Sequence, residues 1–160
     1  MFQPARGSRA AFVFPEERKL RIVGCATGED LAVPAEFDAE GQRCLMVGKD
    51  GSATGLTVGR YAGLVSFTAN DAGVESVELG IYNTGGATSQ VFSAKGDSGS
   101  LVWHMCDGKA RMVGQLHSGC NKGGSTSNHV TYCTPAWYLL EQIKTRYKYA
   151  DFYRTAWSSD

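Results

Sequence analysis

An excess of charge of either sign is missing from this chain. Sixteen Lys and Arg balance sixteen Asp and Glu, so the net charge is zero at neutral pH with histidine uncharged. The electrostatic footprint of a nucleic-acid or acidic-membrane binder is therefore absent, and neither partner is expected. Long apolar runs are missing too. The apolar stretch near the start, Ala10 to Phe14, is too short for the core of a secretory leader, and no stretch approaches a membrane span. Proline is scarce, four in 160 residues, whereas glycine numbers 20, as in a turn-rich globular protein. The five cysteines stand 19, 62, 14 and 13 residues apart, which fits neither a disulfide framework nor paired C-x-x-C knuckles. A cytoplasmic chain with free thiols is the expectation, although a fragment of a secreted protein would read the same way.

What is present suffices for one domain with a real core, since 42% of the residues are hydrophobic. Residues 1–18 mix Pro, Gly, Arg and Glu without periodicity and read as a tail. Lys19 to Val23 alternates as a strand would. Gly24 to Gln42 has few apolar anchors and reads as a loop or linker. From Cys44 the strand signals become regular: Cys44–Lys49, Gly55–Gly59, Leu64–Thr68, Val74–Tyr82, Leu101–Met105, Ala110–Leu116 and Val130–Cys133 are short runs bounded by Gly, Asp or Asn. Such density indicates a closed barrel or a sandwich. Thr134 and Pro135 then offer an N-cap and a first helical residue, with Leu139, Leu140, Ile143 and Tyr147 on one helical face. The expected division is a tail and linker remnant over 1–43 and a barrel with a terminal helix over 44–160. Ala150 to Asp160 is aromatic and unassigned.

The chemistry concentrates at Lys95-Gly96-Asp97-Ser98-Gly99-Ser100-Leu101-Val102. A nucleophilic serine attacking a carbonyl needs an exposed turn with backbone N–H groups aimed at the oxygen that becomes negative. Gly96 has no side chain to obstruct that oxygen, and its N–H with that of Ser98 can form the donor pair. Gly96 to Ser100 resembles the active-site signature of the trypsin/chymotrypsin-like serine proteases. Three further stretches resemble the same family in the right order. Val47 to Gly59 is similar to the opening hairpin of the second barrel in bacterial and fungal members, of the type K-x-G-x-x-T-G-x-T-x-G. Val113 to Gly119 is similar to the strand lining the specificity cleft, and Val130 to Pro135 to the strand before the C-terminal helix. The resemblance spans about residues 44 to 144 and implies an all-β fold: the C-terminal, six-stranded antiparallel barrel of the chymotrypsin type, with a C-terminal α-helix.

The resemblance implies a serine endopeptidase working through an acyl-enzyme on Ser98, with Gly96 and Ser98 as oxyanion donors and no cofactor. A serine hydroxyl is a weak nucleophile until an imidazole takes its proton. In this family the His and Asp precede the serine, yet His104, His117 and His129 all follow it. A first barrel of six strands and five connections needs roughly 50 residues, whereas 43 precede Cys44. The expectation is thus a partial chain lacking the His/Asp half and inactive alone. The alternative is a catalytically dead pseudoprotease that holds a peptide or protein as an added strand beside residues 115–119. A separate first-barrel chain, or a homo-oligomer covering an exposed barrel face, is the partner expected beside a peptide or protein substrate.

The substrate-binding candidates are Phe92, His117, Ser118 and Gly119. Phe92 falls where the family sets primary specificity, and it argues against cleavage after Lys or Arg. Relatives preferring Glu or Gln place a histidine near His117, but theirs falls one residue earlier, and alternate strand residues face opposite ways. His104 reads as a barrel histidine, and His129 stands where relatives often have a small residue by the pocket, which it would narrow. Asp97 in relatives forms an internal ion pair that braces the oxyanion turn; its partner here is open. A zinc cluster from His104-x-Cys106, His117-x2-Cys120 and His129-x3-Cys133 is disfavoured, because four residues along one extended strand span about 13 Å. No metal is expected.

Overall fold

The strand signals that begin at Cys44 resolve into six strands that close on themselves. A computed structural model describes residues 20, 22–38, 41–69, 73, 75–84, 90–121 and 129–152. Among them are β1 (Ile22–Cys25), α1 (Gly28–Ala32), β2 (Glu36–Phe37), β3 (Arg43–Gly51), β4 (Gly55–Ala69), β5 (Glu75–Asn83), β6 (Leu101–Cys106), β7 (Lys109–Asn121), β8 (His129–Pro135) and α2 (Ala136–Arg146). β3 pairs with β4, β4 with β5, β5 with β8, β8 with β7 and β7 with β6, and β6 returns to β3; every step is antiparallel. The protein is an all-β, closed six-stranded barrel with two extra strands and a C-terminal helix.

Alternation fills the barrel. Leu45 and Val47 of β3, Leu79 and Ile81 of β5, Val102 of β6 and Leu116 of β7 meet in one buried cluster, because side chains two apart on a strand share a face. Trp103 turns the other way and joins Leu56 and Ala110 in a second cluster outside the barrel, against which Leu20 and Ile22 pack.

Three expectations from the sequence are revised. Gly55–Gly59 and Leu64–Thr68 are not two strands but parts of the 15-residue β4. The break between them is a register shift between Tyr61 and Val65, with Gly63 at φ 76° inside it. A bulge holding a residue in the left-handed region bends the strand without ending it. Residues 24–42 are not a plain loop. β8 begins to pair with β7 only at Gly114, and β1 runs parallel to the earlier part of β7, Ile22 opposite Ala110 and Cys25 opposite Met112. The β7 edge left open by β8 is taken by β1. α1 follows with a reciprocal cap: Asp30 N–H donates to Thr27 Oγ1 at 3.1 Å and Thr27 N–H to Asp30 Oδ2 at 2.8 Å, and Ala26 and Leu31 enter the main core. The third revision is at the terminal helix. Thr134 stays in β8, opposite Gln115, and Pro135 occupies the N-cap position without a side-chain bond. Ala136 is buried and Leu139, Leu140 and Ile143 face Met112 of β7, but Tyr147 is the C-cap and lies exposed.

Candidate active site: a braced serine turn beside an open strand edge

The turn before β6 is held by the β3–β4 hairpin, so the serine motif and the Val47–Gly59 match meet in space. Asp97 is fully buried at their junction. Its Oδ1 accepts from the N–H of Ala53 at 2.8 Å and of Thr54 at 3.1 Å, and its Oδ2 from the Thr54 hydroxyl at 2.6 Å and the Ala94 N–H at 3.0 Å. Lys49 Nζ lies 3.3 Å from the same Oδ2, also fully buried, and donates to Thr54 Oγ1 at 2.6 Å and the Gly55 carbonyl at 3.1 Å. The open partner of Asp97 is therefore Lys49. Burial alone would raise the Asp97 carboxyl, but the bonds from Thr54, Ala94 and Ala53 outweigh it and hold the group well below the usual carboxylate range. Ser52 adds a 2.6 Å bond from its hydroxyl to the Gly96 carbonyl.

This bracing fixes the backbone around Ser98. Gly96 has φ 108° and Gly99 φ 90°, conformations that an L side chain rarely adopts. The N–H groups of Asp97, Gly99 and Ser100 donate to Ala94 O, Leu116 O and Asp97 O. Those of Gly96 and Ser98 have no acceptor among the described residues. Two backbone donors without acceptors among the described residues thus lie beside an exposed hydroxyl.

The activating side of the chemistry is different. Ser98 Oγ donates to the backbone carbonyl of His117 at 3.1 Å. His117 is the extra residue at the register shift between Leu116 and Ser118, a bulge in β7. Its ring leaves Ser98 behind. His117 Nε2 meets Glu78 Oε2 at 2.7 Å, and Glu78 belongs to β5, beyond β8, whereas Ser98 continues on the β6 side of β7. The Glu78 side chain is 7% exposed and that of His117 41%. His104 sits buried in β6 opposite Arg111, its Nε2 without a hydrogen-bond partner among the described residues. Burial lowers its pKa, opposed by the nearby Asp30 and Glu36. His129 reaches Ser93. Among the described residues no imidazole or carboxylate bonds the Ser98 hydroxyl.

The other candidates divide between core and edge. Phe92 lies fully buried in the main core; its N–H donates to Asn83 Oδ1 at 2.9 Å and its carbonyl accepts from the Thr57 hydroxyl at 2.6 Å. Ser118 and Gly119 pair on one edge with Tyr132 and Thr131 of β8. On the opposite edge β6 pairing ends at Gln115 and the turn contact at Leu116, so Ser118–Asn121 meets no described strand there. Among the described residues no three His, Cys, Asp or Glu side chains come together as a metal site. Lys49 and Thr54, which brace Asp97, were not singled out from the sequence. Both lie inside the K-x-G-x-x-T-G-x-T-x-G pattern, which was the available signal. Glu78 carried no signal at all.

Fold and site together define a closed β-barrel scaffold compatible with a protease-like site and without a complete triad among its described residues. No family model matches the chain, and no curated protein matches its sequence.

Proposed function

We propose that the chain is the nucleophile-bearing barrel of a trypsin/chymotrypsin-like serine endopeptidase, competent to hold a peptide but inactive alone. The observation that carries the reading is the pair of idle N–H groups of Gly96 and Ser98 on a turn braced by Lys49 and Asp97. A peptide adding to the open edge at Ser118–Asn121 would lie alongside that turn with a carbonyl between the two donors. The hydrolytic step is attack of Ser98 Oγ on that carbonyl with its proton passing to a base, transfer of that proton to the departing amine as the C–N bond breaks, and hydrolysis of the ester by water, which returns the proton to Ser98. The base would come from a first-barrel chain or a second copy. A pseudoprotease that binds peptides without cutting them is the second reading, favoured by the His117 ring being held on Glu78, away from Ser98.

The test is intact-mass analysis of the folded chain after fluorophosphonate treatment, with Ser98→Ala as control, beside backbone NMR during titration with a peptide bearing a free C-terminal carboxylate. No adduct is expected, with peptide-dependent shifts at Gly96, Ser98 and Ser118–Asn121. An adduct absent from Ser98→Ala would show that a base reaches the serine and overturn the claim of inactivity. Shifts confined to other parts of the barrel would overturn the site. Ser98 labelling that appears only on adding a His-bearing partner separates the protease reading from the pseudoprotease one.

A further inference from the structure

Among the described residues Asp107 is the one non-glycine with a positive φ, 51°, and Gly108 follows at 71°. The two make up the whole loop of the β6–β7 hairpin, since Cys106 pairs with Lys109. Positive φ at both central positions is the I′ geometry of a two-residue hairpin. Both residues are exposed. The Asp107 carboxylate accepts a 3.8 Å bond from the Cys106 thiol, and the Gly108 N–H has no backbone acceptor among the described residues.

An Asp-Gly step can close on itself, because glycine puts no side chain in the way of its own nitrogen. The Gly108 nitrogen attacks Cγ of the protonated Asp107 carboxyl, and the N–H proton and the Cγ hydroxyl leave together as water, which gives a succinimide. Water then adds back. Breaking the bond from nitrogen to Cγ restores aspartate. Breaking the bond from nitrogen to the Asp107 backbone carbonyl carbon leaves isoaspartate instead, with the main chain running through Cβ and Cγ and the former backbone carbonyl freed as a carboxylate. The water lost is the water regained, so the mass is unchanged and no oxidant or reductant enters.

Asp-Gly occurs twice in the chain, at 50–51 and at 107–108, and the fold sets the two apart. Asp50 and Gly51 are half-buried in β3 and pair with Leu56 and Gly55 of β4. A Cβ at Gly51 would collide with the Asp97 side chain, so this peptide lies packed against the carboxylate that braces the serine turn. Burial raises the Asp50 carboxyl and so favours the protonated form that reacts. Ring closure also needs the peptide to rotate, which a paired strand opposes and a hairpin end permits at much smaller cost. We propose that Asp107 is a site of spontaneous isomerisation to isoaspartate, that Asp50 is protected from it, and that the change at Asp107 loosens β1. The lengthened main chain does not fit a two-residue I′ loop. The pairs next to that loop also carry β1, since Ala110 is opposite both Met105 of β6 and Ile22.

The experiment holds the full chain for weeks in mildly acidic buffer. Peptide mapping with electron-transfer fragmentation separates the two isomers, and an isoaspartyl methyltransferase with S-adenosylmethionine labels the new carboxylate. Isoaspartate is expected to form at Asp107 about tenfold or more faster than at Asp50, because the open population of a hairpin end exceeds that of a paired strand by at least such a factor. The Asp107→Glu chain, which would have to close a larger ring, should show no label in this peptide. Isomerisation at Asp50 as fast as at Asp107 overturns the inference. So does an unchanged Asp107 in the folded chain under conditions in which a free peptide of residues 104–111 isomerises. If Asp107→Glu does not fold, the wild-type peptide map decides by itself. Hydrogen exchange at Ile22–Cys25 reads the consequence: faster exchange is expected in the isoaspartate-bearing fraction than in fresh chain, and equal protection overturns the loosening of β1.

Discussion

The residue that organises the site electrostatically is Asp97, yet the one that most clearly reports its limits is His117. Its ring is tied to a carboxylate that is almost out of water, so His117→Ala removes that partner from Glu78. Loss of a hydrogen-bond partner from a buried acceptor costs about 1–3 kcal/mol. Urea denaturation of His117→Ala should show a loss in that range, and Glu78→Gln, which can still accept from the imidazole, a smaller one. Equal stability of wild type and His117→Ala would show that the pair contributes nothing. The residue scale was partly legible. Ser98, Gly96 and Asp97 stand in one contiguous motif, and a local turn can be read locally. Lys49 and Glu78 meet their partners across strands dozens of residues away, and such a contact depends on register, which the alternation of a single strand does not contain.

At the scale of elements, the regular strands from Cys44 onward were legible because turn residues bound them, and the terminal helix because its apolar spacing is helical. The misreadings share a cause. Gly63 looked like a boundary but supplies a bulge, and the polar run after Gly24 looked like a linker although two apolar residues, Ala26 and Leu31, anchor it to the core. The signal for α1 was the Thr27-x-x-Asp30 spacing, a weak variant of the reciprocal cap. That cap has a measurable share in stability. Thr27→Ala should cost about 1 kcal/mol, the usual effect of deleting an N-cap side chain, by equilibrium denaturation. A neutral result would mean that the pairing of β1 with β7 and the buried Ala26 and Leu31 hold this segment without the cap.

For the whole molecule, acid sensitivity should come in two stages. His104 and His129 both have pKa values lowered by burial. The unfolded chain therefore takes up protons first, and stability present above about pH 6.5 is lost as pH falls through the folded values. Asp97 is also lowered, so its contribution is complete above the unfolded carboxylate value of about 3.9 and is lost only as pH falls below that. Thermal melts between pH 7.5 and 3 should show an early decline that His104→Phe reduces and a late one that Asp97→Asn removes. A single acid transition unaffected by either change would contradict both assignments.

The parallel strand β1 has a colloidal consequence. It covers the stretch of β7 around Ala110–Met112 that β8 does not reach, and at four residues it presents only a short edge of its own. A protease nick that released Ile22–Cys25 would uncover backbone donors and acceptors able to recruit the same strand from another molecule. Self-association after limited digestion would then begin at the N-terminal part of β7, on the side of the barrel away from the open edge beside Ser98.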